Sequence, residues 1–196
     1  MLKGVEYAHS PEKRKLDQTV ARLANPAYFA ARLVSSQLVV EPGENPVFEQ
    51  QRVGRSGQAF TIFKFKTEDP YGHPINSIAR VMNRSGLDEI AQVQNIREGT
   101  MSAVGHRPII GEQFKEFMDN ITPTQQQRYK RTVLPTRPGA FSTYGLGFHT
   151  GYDPVVDQHE ERAECDIKDV IDGSVAYDLR LIKTVCQTAF SGRFTT

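Results

Sequence analysis

The 196-residue chain has little of several things that would classify a protein quickly. It has two cysteines, Cys165 and Cys186, too few for a disulfide scaffold; one bridge or two reduced thiols are the choices left, and two reduced thiols fit a cytoplasmic protein. It has no run of 18 apolar residues, which excludes a transmembrane helix of the usual kind. Residues 1–15 lack the apolar core of a secretory signal. Charge of one sign is also missing: 24 basic and 23 acidic residues leave a net +1, so no bulk charge advertises nucleic acid. With 15 glycines and 11 prolines the composition is neither collagen-like nor low in complexity. A globular cytoplasmic domain remains, long enough to bury a core without covalent staples.

What charge there is lies unevenly. Residues 51–66 carry Arg52, Arg55, Lys64 and Lys66 and no acid. Residues 128–137 carry Arg128, Lys130, Arg131 and Arg137 and no acid. Residues 153–172 hold eight acids against Arg162 and Lys168. Two basic segments can converge on one multiply charged anion such as a diphosphate, and they can equally be solvated surface.

The pattern of apolar residues predicts an α+β domain, mostly helical, with one small β-hairpin and an N-terminal helical pair broken at proline. Ser10-Pro11 caps a first helix through Leu16, Val20 and Leu23, and Asn25-Pro26 interrupts it before a second stretch from Tyr28 to Gln37. Residues 1–45 therefore form one region and 46–196 the other. Residues 47–53 and 58–65 read as paired strands about a Gly54–Gly57 connection, with Lys64 and Lys66 on one face. Ser85-Gly86-Leu87-Asp88 matches a capping box, followed by a helix that Gly99 ends. Helices follow over 111–120 and from a Thr122–Gln125 cap. Residues 135–153 read as loop, Asp153-Pro154 starts a helix that runs to Ile171, and Ser174 caps a last one.

The chemistry concentrates at Asp88-Glu89. A carboxylate at a helix start is kept ionised by the helix dipole, hence nucleophilic at neutral pH; an Asp at this place in a capping box is also ordinary structure. Arg107 in Gly105-His106-Arg107-Pro108 and Arg137 in Arg137-Pro138-Gly139 sit in tight turns that suit bidentate phosphate contact, or contact with loop carbonyls. His149, His159 and Cys165 fit no standard zinc spacing, and neither a serine elbow nor a Walker loop is present.

Six stretches, in order, resemble the bacterial sugar transferase family, the monotopic phosphoglycosyl transferases that start polyprenol-linked glycans. They are Phe48–Gly54 with Gly57 and Phe60, Phe63–Thr67, Ser85–Ile90, Gly99–Pro108, Arg137–Gly139 and Asp166–Val185. Together they span about residues 46–186. His106 stands where the family has proline. Lys13–Asp17 resembles the basic start of the family's membrane helix, although Gln18, Arg22, Asn25, Arg32 and Gln37 interrupt its apolar character. An interfacial helix pair suits this composition better than deep insertion.

The resemblance implies a phosphoglycosyl transferase that moves a phosphosugar from a nucleotide diphosphate sugar to a polyprenol phosphate through a covalent aspartyl intermediate. Asp88 and Glu89 would be catalytic, and Lys64, Lys66, Arg107 and Arg137 would bind substrate phosphates. Mg²⁺ would be the cofactor, with Asp88 as its ligand. The partners implied are the nucleotide sugar, the lipid phosphate and a membrane surface at the inner face of the cell, with no nucleic acid. The alternative is a catalytically inert relative that binds sugar nucleotides or scaffolds glycan assembly.

Overall fold

The computed structural model describes residues 2–38, 45–69, 71–149 and 159–190. It begins with a short helix α1 (Lys3–Ala8) and a long one, α2 (Pro11–Leu38). At 28 residues α2 is about 42 Å long at 1.5 Å per residue. Ser10 caps it as its sequence predicts, its Oγ accepting from the Lys13 N–H at 3.1 Å.

The expected break at Asn25-Pro26 does not occur, because α2 runs through Pro26. Proline removes one ladder bond, but Ala21 on one side and Tyr28 and Ala31 on the other are buried in the same body of the protein. Packing on both flanks holds the helical register that the local bond no longer supports.

Strands β1 (Val47–Val53) and β2 (Ala59–Phe65) form the predicted antiparallel hairpin, with Gln50 opposite Ile62 and Arg52 opposite Phe60. Next come α3 (Ser77–Ser85), a 3₁₀ segment (Leu87–Gln92) and α4 (Val93–Glu98). The capping box expected at Ser85 is absent. Ser85 is the last residue of α3, and its Oγ donates back to the carbonyls of Val81 and Met82. Gly86, at φ 70°, makes the left-handed turn that ends α3 and starts the 3₁₀ segment. The turn chemistry was there in the sequence; glycine rather than serine executes it.

Three more short strands appear. β4 (Ile109–Ile110) joins the free edge of β1, and β3 (Ser102–Val104) pairs in parallel with β5 (Gly139–Phe141). Between them lie α5 (Gly111–Asp119) and α6 (Pro123–Thr132), the latter with the complete Thr122–Gln125 capping box. The expected loop over 135–153 thus contains β5 and also α7 (Thr143–His149). A three-residue strand carries no periodicity of its own and exists because β3 offers it an edge. Helix α8 (His159–Ile171) and helix α9 (Val175–Phe190) close the chain, and the Asp153-Pro154 start lies outside the described residues.

The inner face of α2 opens with charge. Lys13 and Asp17 are buried there. The Lys13 ammonium pairs with Asp178 of α9 at 2.5 Å and donates to the Val104 carbonyl at 2.8 Å. Asp17 Oδ1 accepts from Ser102 Oγ at 2.8 Å and the Ala103 N–H at 2.9 Å, and its Oδ2 is 3.4 Å from the Arg137 guanidinium. The basic start of α2 is therefore tied to the parallel strand pair. Replacing Asp17 by alanine leaves the largely buried Arg137 without its counter-charge, and the expected loss is about 3–5 kcal/mol in urea unfolding.

Candidate functional site

β2 delivers Lys64, the 3₁₀ segment delivers Asp88 and Glu89, and the turn between β3 and β4 delivers Arg107. The Lys64 ammonium is 2.7 Å from Glu89 Oε1 and 4.0 Å from Asp88 Oδ2. The Arg107 guanidinium reaches the same Glu89 oxygen at 3.4 Å. Glu89 thus stands between two cations, with Asp88 beside it. A small open cleft lies against Lys64, Glu89 and Arg107, and Asp88 sits behind Glu89 without lining it. The cleft wall includes Ile62, Pro108, Gly139 and Ala140.

That wall exists because two glycines touch. A Cβ on Gly139 would sit 2.0 Å from the Gly105 nitrogen, so any side chain there pushes the β5 turn away from the Arg107 turn. His106 fits the proline position of the family for a related reason. It is buried, its ring meets Tyr129 edge-on at 6.4 Å, and its carbonyl accepts from the Gly139 N–H at 2.9 Å. Burial lowers its pKa to about 3, so it is neutral packing and adds no charge to the cleft.

Asp88 is only 6% exposed, and burial sets its charge state. Loss of solvent pushes its pKa up to about 7, with Lys64 opposing and Glu89 adding to the rise. The helix dipole expected to keep Asp88 ionised is one turn of partial charge, and desolvation outweighs it in the opposite direction.

Four of the six expected residues therefore meet: Asp88, Glu89, Lys64 and Arg107. Lys66 follows the last residue of β2, where its N–H bonds the Pro46 carbonyl at 2.9 Å, and it does not line the cleft. Arg137 likewise does not line it and turns instead to Asp17. Sequence reasoning missed two residues that do line it. Arg52 comes from β1, opposite Phe60; its guanidinium bonds Gln50 at 2.5 Å and the Pro108 carbonyl at 3.4 Å, while its buried Nε has no partner. Gln92 is 4% exposed and lines the cleft. The basic stretch 51–66 pointed toward Arg52; nothing in the pattern marked Gln92.

Arg52, Lys64 and Arg107 outnumber the ionised carboxylates, so the cleft favours an anion. No cluster of three or more His, Cys, Asp or Glu suited to a metal occurs among the described residues. Asp88 and Glu89 supply the carboxylate oxygens available at this site to a hard divalent cation.

The family model described as bacterial sugar transferase matches residues 8–192. The galactosyl transferase CpsE of Streptococcus agalactiae is 24% identical over 97% of this chain and 45% of its own length. A UDP-N-acetylgalactosamine-undecaprenyl-phosphate N-acetylgalactosaminephosphotransferase of Aeromonas hydrophila is 26% identical over 92% of this chain and 44% of its own. A UDP-glucose:undecaprenyl-phosphate glucose-1-phosphate transferase of Caulobacter vibrioides is 28% identical over 87% and 66%. The chain spans less than half the length of the first two.

The raised pKa of Asp88 has a stability consequence with a definite sign. Between the ordinary value of 3.8 and about 7 the folded protein keeps a proton that the unfolded chain gives up, so stability falls as pH rises across that window. In protein free of divalent cations, Asp88→Asn is expected to raise stability at pH 8, by up to about 4 kcal/mol, and to have little effect below about pH 4. Urea unfolding at the two pH values measures it.

Proposed function

Because the chain belongs to the bacterial sugar transferase family, we propose that it transfers a phosphosugar from a UDP-sugar to undecaprenyl phosphate. The observation that carries the reading is the set Lys64–Glu89–Arg107 with the buried Asp88 4.0 Å from the Lys64 ammonium: a carboxylate next to a cation pair that can neutralise a diphosphate. Phosphoryl transfer asks the protein chiefly for position and charge neutralisation, and the cleft supplies both.

In the proposed sequence an Asp88 carboxylate oxygen attacks the sugar-bearing phosphorus. The bond from that phosphorus to the bridging oxygen breaks, and UMP leaves with the electron pair. The lipid phosphate oxygen then attacks the same phosphorus, the bond to Asp88 breaks, and the carboxylate is regenerated. Lys64 and Arg107 exchange Glu89 for phosphate oxygens when the donor enters. Arg52 adds a third positive charge at the cleft wall. Gln92 offers its amide to a phosphate or sugar oxygen. Arg137, through Asp17, keeps β5 and its glycine wall in place. Glu89, released from its cations, positions the attacking carboxylate. Asp88 and Glu89 would hold a magnesium ion, which would supply further neutralisation of phosphate charge.

The lipid acceptor places the reaction at a membrane surface in this reading. No helix among the described residues is long and apolar enough to cross a membrane. α2 instead exposes Leu23, Phe29 and Leu33 at 77%, 61% and 67%, and α3 exposes Ile78 and Val81, apolar area suited to an interface.

Two measurements test the reading. Wild-type protein with Mg²⁺ should release UMP from UDP-glucose, UDP-galactose or UDP-N-acetylgalactosamine and acquire the mass of a phosphosugar. Asp88→Asn should reduce UMP release at least 10³-fold, and undiminished release removes Asp88 from its role. Donor binding without turnover in the wild type would instead identify an inert binder. In flotation with anionic vesicles the wild type should rise with the lipid, and the Phe29→Glu/Leu33→Glu double variant should stay largely in the soluble fraction.

A further inference from the structure

We infer that Arg162 and Asp166 of α8 are positioning residues for Arg107: they hold its peptide so that the guanidinium faces Glu89 across the cleft. The functional weight of this arrangement rests on the transferase reading above; the arrangement itself does not.

The turn from Gly105 to Pro108 presents three successive carbonyls, each taken by a different element. His106 O accepts from the Gly139 N–H of β5 at 2.9 Å, and Pro108 O from Arg52 of β1 at 3.4 Å. Arg107 O, on the residue whose side chain enters the cleft, accepts from the Arg162 guanidinium at 2.8 Å. A side chain, and no strand bond, therefore sets the peptide plane at Arg107.

Arg162 is itself confined from three sides. Its guanidinium lies over the Phe117 ring at 5.4 Å and the Tyr144 ring at 5.2 Å from their centres. Its Nε stands 3.8 Å from Asp166 Oδ2, one helical turn along α8. Asp166 is fully buried, and the same oxygen accepts the Tyr129 hydroxyl at 3.2 Å. Both residues come from the acidic stretch 153–172, a charge run that the proposed chemistry leaves unused. A buried ion pair is a poor core filler, since apolar residues of equal volume commonly serve as well or better. What an apolar pair lacks is a donor for the Arg107 carbonyl. The chain of contacts runs from Tyr129 to Asp166 to Arg162 to the Arg107 peptide, and on through the Arg107 side chain to Glu89. A displacement of about 1 Å in a charge-stabilising group costs on the order of 10²-fold in rate.

The test uses the full chain and the variants Arg162→Lys, Arg162→Met and Asp166→Asn, with Arg107→Met alone and combined with Arg162→Met. The first readout needs no activity. The ¹⁵N-edited Nε–H resonance of Arg107, assigned by its loss in Arg107→Met, should be single and sharp in the wild type and should broaden or move to the solvent-exposed position in all three α8 variants. The second is the UMP release rate with undecaprenyl phosphate and the three UDP-sugars. kcat should fall 10- to 100-fold in Arg162→Lys and Asp166→Asn while Tm changes by less than about 3 °C. The third is non-additivity: Arg107→Met/Arg162→Met should be no more than twofold slower than Arg107→Met. An unmoved Arg107 resonance in Arg162→Met overturns the inference, as does activity loss that tracks Tm or a double variant showing the product of both losses. A wild type that turns over none of the three donors counts against the transferase reading, and the resonance then decides the positioning claim alone.

Discussion

One carboxylate held between two cations is the contact that the rest of the molecule serves. Glu89 meets Lys64 and Arg107, which lie 25 residues before it and 18 after it in the chain. Three pieces of backbone must therefore arrive at one point: a hairpin strand, a 3₁₀ turn and a tight loop. Each arrives for a separate reason. β2 is placed by its pairing with β1, and Asn95 of α4 binds its other edge, accepting from the Phe63 N–H at 3.1 Å and donating to the Thr61 carbonyl at 2.7 Å. The 3₁₀ segment is placed by the left-handed turn at Gly86. The Arg107 loop is placed by glycine-to-glycine contact with β5 and by the buried polar groups of α8.

The long N-terminal helix is part of this framework. Family resemblance reads its basic start as a membrane-facing element. In the folded protein that start faces inward, where Lys13 meets Asp178 and Val104, and Asp17 meets β3 and Arg137. Arg14 reaches the C-terminal carbonyls of α4, at 2.7 Å from Ile96 O and 2.9 Å from Arg97 O, where a cation complements the end of the helix. The exposed apolar residues begin only at Leu23. One helix thus divides its labour along its length, polar and internal first, apolar and external later. Pro26 lies near the change.

Asp88 illustrates a cost that active sites commonly carry. Burial destabilises its ionised form, and the neighbouring Lys64 offsets only part of that. A buried carboxylate with little hydration is also one that needs little desolvation before it could act as the nucleophile proposed above. In the proposed role stability and reactivity pull in opposite directions at this residue, and Lys64 is the cation that favours its ionised state.

Much was legible without coordinates. Ser10-Pro11, Thr122–Gln125 and the alternation over 47–65 announced a helix start, a capping box and a hairpin, because each is written in residues a few positions apart. The motif order marked Asp88, Glu89, Lys64 and Arg107, and these four do converge. Other features were invisible for one physical reason: they depend on contacts between residues far apart in sequence. β5 exists only as the partner of β3, and α2 crosses Pro26 only because both flanks are buried. Arg137 belongs to Asp17, and Gln92 lines the cleft because of what surrounds it. The direction of the Asp88 pKa followed from burial, which no local pattern encodes. Sequence alone determined which charged side chains this protein has available for the candidate site and the short elements that carry them. Tertiary packing decided which of those side chains meet, because charge state and distance are set by neighbours brought from elsewhere in the chain.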